Sequence, residues 1–179
     1  LPNYDSNYPV EHIEFDSEGN IYLGTINGIY KSTDNGDSWN KMNASLEGLQ
    51  VGTLFIDEND YIYIYTTYSS LTDGMYISTD YANSWQTVPI PDYYVVDIIA
   101  KNNKIVIIDG DNNIQLSDDT GNSWHQNNDG LNDSYLVSLY LGNDNFIYSG
   151  GRFIHQTNEV FEEMDDDICS ECEITWWDD

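Results

Sequence analysis

One eight-residue pattern, Ser-x-Asp-x-Gly-x-Ser-Trp, recurs along this chain and limits its fold more than any other feature. The copies are Ser32-Thr33-Asp34-Asn35-Gly36-Asp37-Ser38-Trp39, Ser78-Thr79-Asp80-Tyr81-Ala82-Asn83-Ser84-Trp85 and Ser117-Asp118-Asp119-Thr120-Gly121-Asn122-Ser123-Trp124. They lie about forty residues apart, the spacing of an array of small supersecondary units. The flanking residues fall into the same register. The first unit runs Val10–Phe15, a turn at Asp16–Asn20, Ile21–Thr25, a tight turn at Asn27-Gly28, then Ile29-Tyr30 into the motif. The second unit is built on Val51–Ile56 and Tyr61–Thr67, and the third on Tyr94–Ala100 and Lys104–Ile108. A fourth follows as Tyr135–Leu141 and Phe146–Tyr148. Its motif has decayed to Gln156-Thr157-Asn158-Glu159-Val160-Phe161, with Asn158 in place of Asp and Phe161 in place of Trp.

Each unit reads as four short runs rich in Ile, Val, Tyr and Leu, bounded by Asp, Asn and Gly clusters, which is the pattern of strands and turns. Asn27-Gly28 is a tight-hairpin signal. No segment carries an apolar period of 3.6 residues, so almost no helix is expected. A four-stranded antiparallel sheet cannot bury both of its faces alone, whereas radially stacked sheets cover one another. The expected fold is all-β, a β-propeller of four four-stranded antiparallel blades at about residues 10–42, 51–88, 94–127 and 135–164. It closes either as a four-bladed ring or as half of a larger propeller completed by another chain. Within the motif the Asp can accept hydrogen bonds from its own turn. The Gly supplies a positive φ, and the Trp fills space between repeats. Ala82 replaces that Gly in the second copy, where strain or a changed turn is expected.

These stretches resemble Asp-box repeats, also called bacterial neuraminidase repeats, which occur in sialidases, sortilin-type receptors, xyloglucan-degrading enzymes and photosystem assembly factors. The resemblance covers residues 10 to 164. It implies a structural role for Ser32, Asp34, Gly36, Trp39, Ser78, Asp80, Trp85, Ser117, Asp119, Gly121 and Trp124, on loops away from the usual ligand face. It also implies an exported, extracellular or cell-surface setting. Fold analogy alone does not assign a function.

Several activities are disfavoured by composition. Thirty-two acidic residues against five basic ones give a net charge of −27. Nucleic acid would be repelled, as would anionic membrane surfaces, and no apolar span is long enough to cross a bilayer. Such acidity suits divalent cations or basic partners. The sialidases of the resembling family grip the substrate carboxylate with three arginines, and this chain has only Arg152. The photosynthetic members rely on a basic surface that is absent. Carboxylate pairs for glycoside hydrolysis arise by chance among so many acids, and no catalytic residue is assigned. His12, His125 and His155 show no zinc-ligand spacing.

Other candidate sites are weaker. Asp109, Asp111 and Asn113 alternate oxygen ligands as a calcium loop would, or form a turn bonded to its own backbone. Asp57–Asp60 and Asp129–Asp133 are similar. Tyr61, Tyr63, Tyr65, Tyr68, Tyr93 and Tyr94, with Trp176 and Trp177, could stack on sugar rings or pack between blades. Residues 165–179 form an acidic tail. In it Cys169 and Cys172 could form a local disulfide, an interchain bridge or a shared metal site. Ile174, Trp176 and Trp177 could pack on the last blade or be donated as a strand to another chain. Leu1, in place of Met, suggests a mature or excised chain. Asn43-Ala44-Ser45 and Asn132-Asp133-Ser134 match glycosylation sequons.

Two function classes follow. The first is a non-enzymatic exported structural or interaction protein, a self-assembling extracellular scaffold that partners with itself as a homo-oligomer or with another protein. The alternative is a carbohydrate-binding propeller module of an adhesin or glycoside hydrolase.

Overall fold

A computed structural model describes residues 9–42, 50–67, 74–91, 94–128, 135–151 and 154–160. Its strands are β1 (Val10–Phe15), β2 (Ile21–Thr25), β3 (Gly28–Ser32), β4 (Asn40–Met42), β5 (Gln50–Ile56), β6 (Ile62–Thr67), β7 (Gly74–Ser78), β8 (Gln86–Val88), β9 (Val95–Lys101), β10 (Lys104–Asp109), β11 (Ile114–Ser117), β12 (His125–Gln126), β13 (Leu136–Leu141), β14 (Phe146–Gly151) and β15 (Ile154–Val160). They form four antiparallel sheets in strict chain order: β1-β2-β3-β4, β5-β6-β7-β8, β9-β10-β11-β12 and β13-β14-β15. The protein is an all-β propeller of four blades, and among the described residues the fourth blade has three strands. The motif of the first three units spans the turn between the third and fourth strands of its blade. The tail, with Cys169, Cys172, Ile174, Trp176 and Trp177, lies outside the described residues, as do both sequons, Arg152, Tyr68 and Tyr93.

Alternating residues on each strand give every blade two apolar faces. One face of each blade packs on its successor. Tyr22 and Ile29 of the first blade meet Leu54, Ile62 and Ile64 of the second. Tyr63, Tyr65 and Met75 of the second meet Ile98, Ile105 and Ile107 of the third. Val106, Ile108 and Ile114 of the third meet Leu136, Leu139 and Ile147 of the fourth. Each such side chain, when fully buried, stabilises the fold by roughly 1.5–3 kcal/mol. Polar ties cross the same seams. Lys31 Nζ sits 3.5 Å from Asp16 and over the rings of Tyr22 and of Tyr81 in the next blade. The Leu136 N–H donates to Asn112 Oδ1 at 2.6 Å. Among the described residues there is no such seam between the fourth blade and the first, and no pair of their strands approaches within 8 Å between Cα atoms.

The three motifs are built alike. Asp34 Oδ1 accepts from the Ser38 N–H and the Ser32 hydroxyl, both at 2.8 Å, and Asp34 Oδ2 accepts from the Ser38 hydroxyl. Asp80 and Asp119 take the same donors from Ser78 and Ser84, and from Ser117 and Ser123. The first serine's oxygen accepts from the N–H at the Gly position, at 2.9 Å for Gly36 and Ala82 and 2.7 Å for Gly121. That position is left-handed in every copy, with φ of 89° at Gly36, 67° at Ala82 and 85° at Gly121. The turn at Ala82 is therefore unchanged. The substitution is borne as backbone strain, of order 1–2 kcal/mol for a left-handed L-residue, while Ala82 is fully buried in the seam between the first and second blades.

A second device was not separated out in the sequence. Asp16 Oδ1 accepts from the N–H groups of Glu18 and Asn20, and its Oδ2 from the Tyr22 hydroxyl. Asp57 does the same with Asn59, Tyr61 and Tyr63, and Asp109 with Asp111, Asn113 and the Gln115 amide. One buried carboxylate thus locks a hairpin through residues two, four and six places on.

The glycines make a test. A Cβ at Gly36 would meet only Trp39 Cζ2 at 3.6 Å, whereas one at Gly121 would meet Val88 Cγ1 at 2.2 Å. Gly36→Ala should cost about 1 kcal/mol from backbone strain alone. Gly121→Ala should cost about 2–4 kcal/mol, because overpacking against a stiff Val adds to the strain. Urea midpoints read the difference, and equal losses would disprove the seam between the second and third blades.

Candidate functional site

The inner strands β1, β5, β9 and β13 wall a cavity of about 700 Å³, a size typical of ligand-binding clefts. Two of its acids stand where the sequence sets a carboxylate inside an apolar strand. Glu14 stands between Ile13 and Phe15, and Asp97 between Val96 and Ile98. His12, Asp57, Glu58, Lys101 and Tyr140 share the lining.

Asp97 is held in place from three strands. Its Oδ2 accepts the Leu139 N–H at 2.7 Å, and its Oδ1 accepts the Ile98 N–H at 2.9 Å and the Thr53 hydroxyl at 3.4 Å. Burial raises its pKa, and those donors and the nearby His12 pull the other way. Glu14 has fewer such donors. Burial first, and then the charge of Asp97, push its carboxyl from 4.5 up to about 7, against a smaller opposing effect from the Phe15 N–H. Glu14 is therefore partly protonated at neutral pH. A proton-holding carboxyl beside a fixed aspartate is the electrostatic pattern of an acid/base pair, and equally of a site for a cationic or hydroxyl-rich group. His12 Nε2 lies 2.8 Å from the Gly52 carbonyl and ties β1 to β5. The sequence reading missed Glu14 and Asp97, although an acid flanked by aliphatic strand residues was a visible signal.

Of the acidic loops read from sequence, the one at Asp57 and Glu58 reaches the cavity, and the other predicted residues sit elsewhere. No motif residue lines the cavity. Hydrogen bonds within their own turns hold the carboxyls of Asp34, Asp80 and Asp119 below the usual carboxylate range, those to the second serine leading in each. Trp124 Nε1 donates to Pro89 O of the preceding blade at 2.7 Å and to Gly121 O at 3.2 Å. Trp39 Nε1 donates to Gly36 O at 3.2 Å. Trp85 packs in the first seam, and its Nε1 has no such partner.

The loop at Asp109, Asp111 and Asn113 takes the hydrogen-bonded form of its two readings. Asp109 is buried, and donors from Asp111, Asn113 and Gln115 occupy both its oxygens. Among the described residues no three His, Cys, Asp or Glu side chains gather to hold a metal. Of the tyrosines proposed for sugars, Tyr63 and Tyr65 are buried in the seam between the second and third blades, and Tyr61 packs against it. They share one face, as their alternation requires, and that face is the packing face. Tyr94 is exposed and meets the Tyr65 ring edge-on at 5.7 Å. A more exposed aromatic pair, Tyr140 and Tyr148, lies 6.4 Å apart on the fourth blade, where Asp144 Oδ2 accepts the Tyr148 hydroxyl.

No family model matches the sequence, and no curated protein matches it significantly. Solved structures do share the fold. An ancestral GH74 enzyme is 23% identical with a TM-score of 0.61, over 82% of this chain and 22% of that one. The extracellular domain of a proposed hybrid two-component system of B. thetaiotaomicron is 17% identical with a TM-score of 0.65, over 86% and 21%. The computationally designed Ika4 protein is 12% identical with a TM-score of 0.60, over 85% and 92%. This chain thus spans about a fifth of the two larger proteins and nearly all of the designed one. No described helix is long and apolar enough to cross a membrane.

The groove yields a pH prediction. A carboxyl with a raised folded-state pKa favours folding fully below its unfolded value, and this contribution is lost as pH rises through the folded value. For Glu14 the window runs from 4.5 to about 7. Glu14→Gln should remove that loss and leave the variant on the order of 1–2 kcal/mol more stable than the parent at about pH 8, after discounting for partial solvent screening. Thermal melts between pH 5 and 8 would show it, and parallel pH profiles for the two proteins would refute it.

Proposed function

We propose that this chain is an Asp-box propeller module that works by interaction rather than by catalysis, as an exported structural or partner-binding protein. One observation carries this reading. The side chains that repeat most faithfully are all taken up by the architecture. The motif aspartates bind their own turns, the second and third tryptophans pack into blade seams, and Asp16, Asp57 and Asp109 lock hairpins. What repeats is therefore a way of holding blades, and specificity falls to surfaces that do not repeat. The extracellular setting of the similar B. thetaiotaomicron domain supports export. The partner is a protein, a second copy included.

A second reading has its own support. Glu14, Asp97 and the exposed Tyr140 border one groove, and a carboxylate pair beside an aromatic ring suits a sugar. The alternative is then a carbohydrate-binding propeller module of an adhesin or glycoside hydrolase, and GH74 enzymes share the fold. Incubation with a panel of β-glucans, xyloglucan included, separates the two. We expect no new reducing ends and no retardation in affinity gels. Release of reducing ends that Glu14→Gln or Asp97→Asn abolishes would overturn the non-enzymatic reading, and retardation lost on Tyr140→Ala would move the function to sugar binding.

A further inference from the structure

We infer that the outer face of the fourth blade docks on the outer face of the first blade of a second copy, and that two copies close head to tail into one eight-bladed ring. This rests on the interaction reading and names its partner.

Strand register assigns each end-face residue an equivalent inside the protein. Ile13 pairs with Leu23 as Leu54 pairs with Ile64, Ile98 with Ile107 and Leu139 with Ser149. Leu54, Ile98 and Leu139 are 2%, 1% and 8% exposed, because a preceding blade covers them, whereas Ile13 is 57% exposed. Phe15 at 59% compares with Ile56 at 8% and Ala100 at 2%. At the other end, Ile154 pairs with Gly150 as Ile29 pairs with Gly24. Ile29 and its second-blade counterpart Met75, which face Met42 and Val88 in the same way, are 0% and 1% exposed, but Ile154 is 76% exposed. Tyr140, at 62%, stands where the second and third blades carry Phe55 and Ile99, both built into seams. On the same face of the first blade Leu23, Tyr30 and Trp39 pack together and are only 3–5% exposed, so the open part of that end is its inner edge at Ile13 and Phe15.

The two ends therefore carry the two halves of a seam that the chain forms internally between each pair of successive blades. The occupant that continues this seam is another blade of the same kind, and a second copy presents one at each end. Apolar side chains left open at matching seam positions, Ile13 and Phe15 at one end and Tyr140 and Ile154 at the other, mark an interface. A contact between unlike faces is heterologous, and it forms a ring when the rotation closes. Propellers typically have about 4–8 blades, so two copies close within that range and three do not.

The test is molar mass by light scattering on the full chain, over a range of concentrations, at about 0.15 M and about 0.5 M salt to screen the charge. The variants are Ile13→Asp and Ile154→Asp, with unfolding curves run to establish that each remains folded. We expect a two-copy species for the parent, favoured by salt, and monomers for each variant alone. A mixture of the two variants should recover a two-copy species through the one joint left intact. A folded parent that stays monomeric at every concentration would overturn the inference, its end faces then being taken by further blades of a longer polypeptide or by a different protein. Loss on Ile13→Asp alone would also overturn it, since that is face-to-like-face pairing, and so would species larger than two copies. Hydrolysis of glucan by an intact two-copy species would instead remove the non-enzymatic reading and leave the ring standing.

Discussion

A four-stranded sheet with apolar residues on both faces has no stable existence by itself, and the rest of this structure follows from that constraint. Short antiparallel blades leave Ile, Val, Leu and Tyr on both sides, and each side must be covered. Stacking blades in chain order covers all but the two terminal faces. The inner strands then lie side by side, and their shared space becomes the groove of Glu14 and Asp97. The internal seams, the open ends and the groove are three consequences of one packing rule.

Stacking at close range also requires tight, rigid corners, and aspartate supplies them twice. In the hairpin lock a buried carboxylate gathers N–H groups two and four residues ahead and the tip of the sixth side chain. In the motif a half-buried carboxylate gathers two serines and a backbone N–H. Both devices satisfy polar groups that strand ends would otherwise leave unpaired. They also place a left-handed residue where the chain must reverse, which makes Ala82 a tolerated strain and Gly121 a steric necessity.

Most of the architecture was legible in the sequence, because repetition superimposes the units and makes weak strand signals add. The four blades follow from register, and alternation puts Tyr63 and Tyr65 on one face, though that this face packs between blades is seen only in the structure. The hairpin lock was less legible. Asp57-Glu58-Asn59-Asp60 also offers the oxygens of a metal loop, and only the structure shows the Tyr63 hydroxyl on the same carboxylate. The groove was least legible. Glu14 and Asp97 belong to different blades, and only the stacking of inner strands brings β1 and β9 to one cavity. The blade count alone did not decide whether the ring closes. The separation of the fourth blade from the first is a three-dimensional fact.

The charge of the chain fits this reading of its acids. Five basic residues cannot neutralise thirty-two acidic ones, so ion pairs such as Lys31–Asp16 and Lys101–Glu58 are a minor part of the account. Backbone N–H groups and hydroxyls act instead as counter-dipoles, and they hold the motif aspartates below the usual carboxylate range. This permits a heavily acidic surface on a tightly packed fold, because each locked carboxylate is stabilised within a few residues of itself. The charge left over is long-ranged and screened by salt. Its main effect is between molecules: it opposes any association that lacks a large apolar seam to offset it, and so favours the docking of matched blade faces over indiscriminate contact between edges.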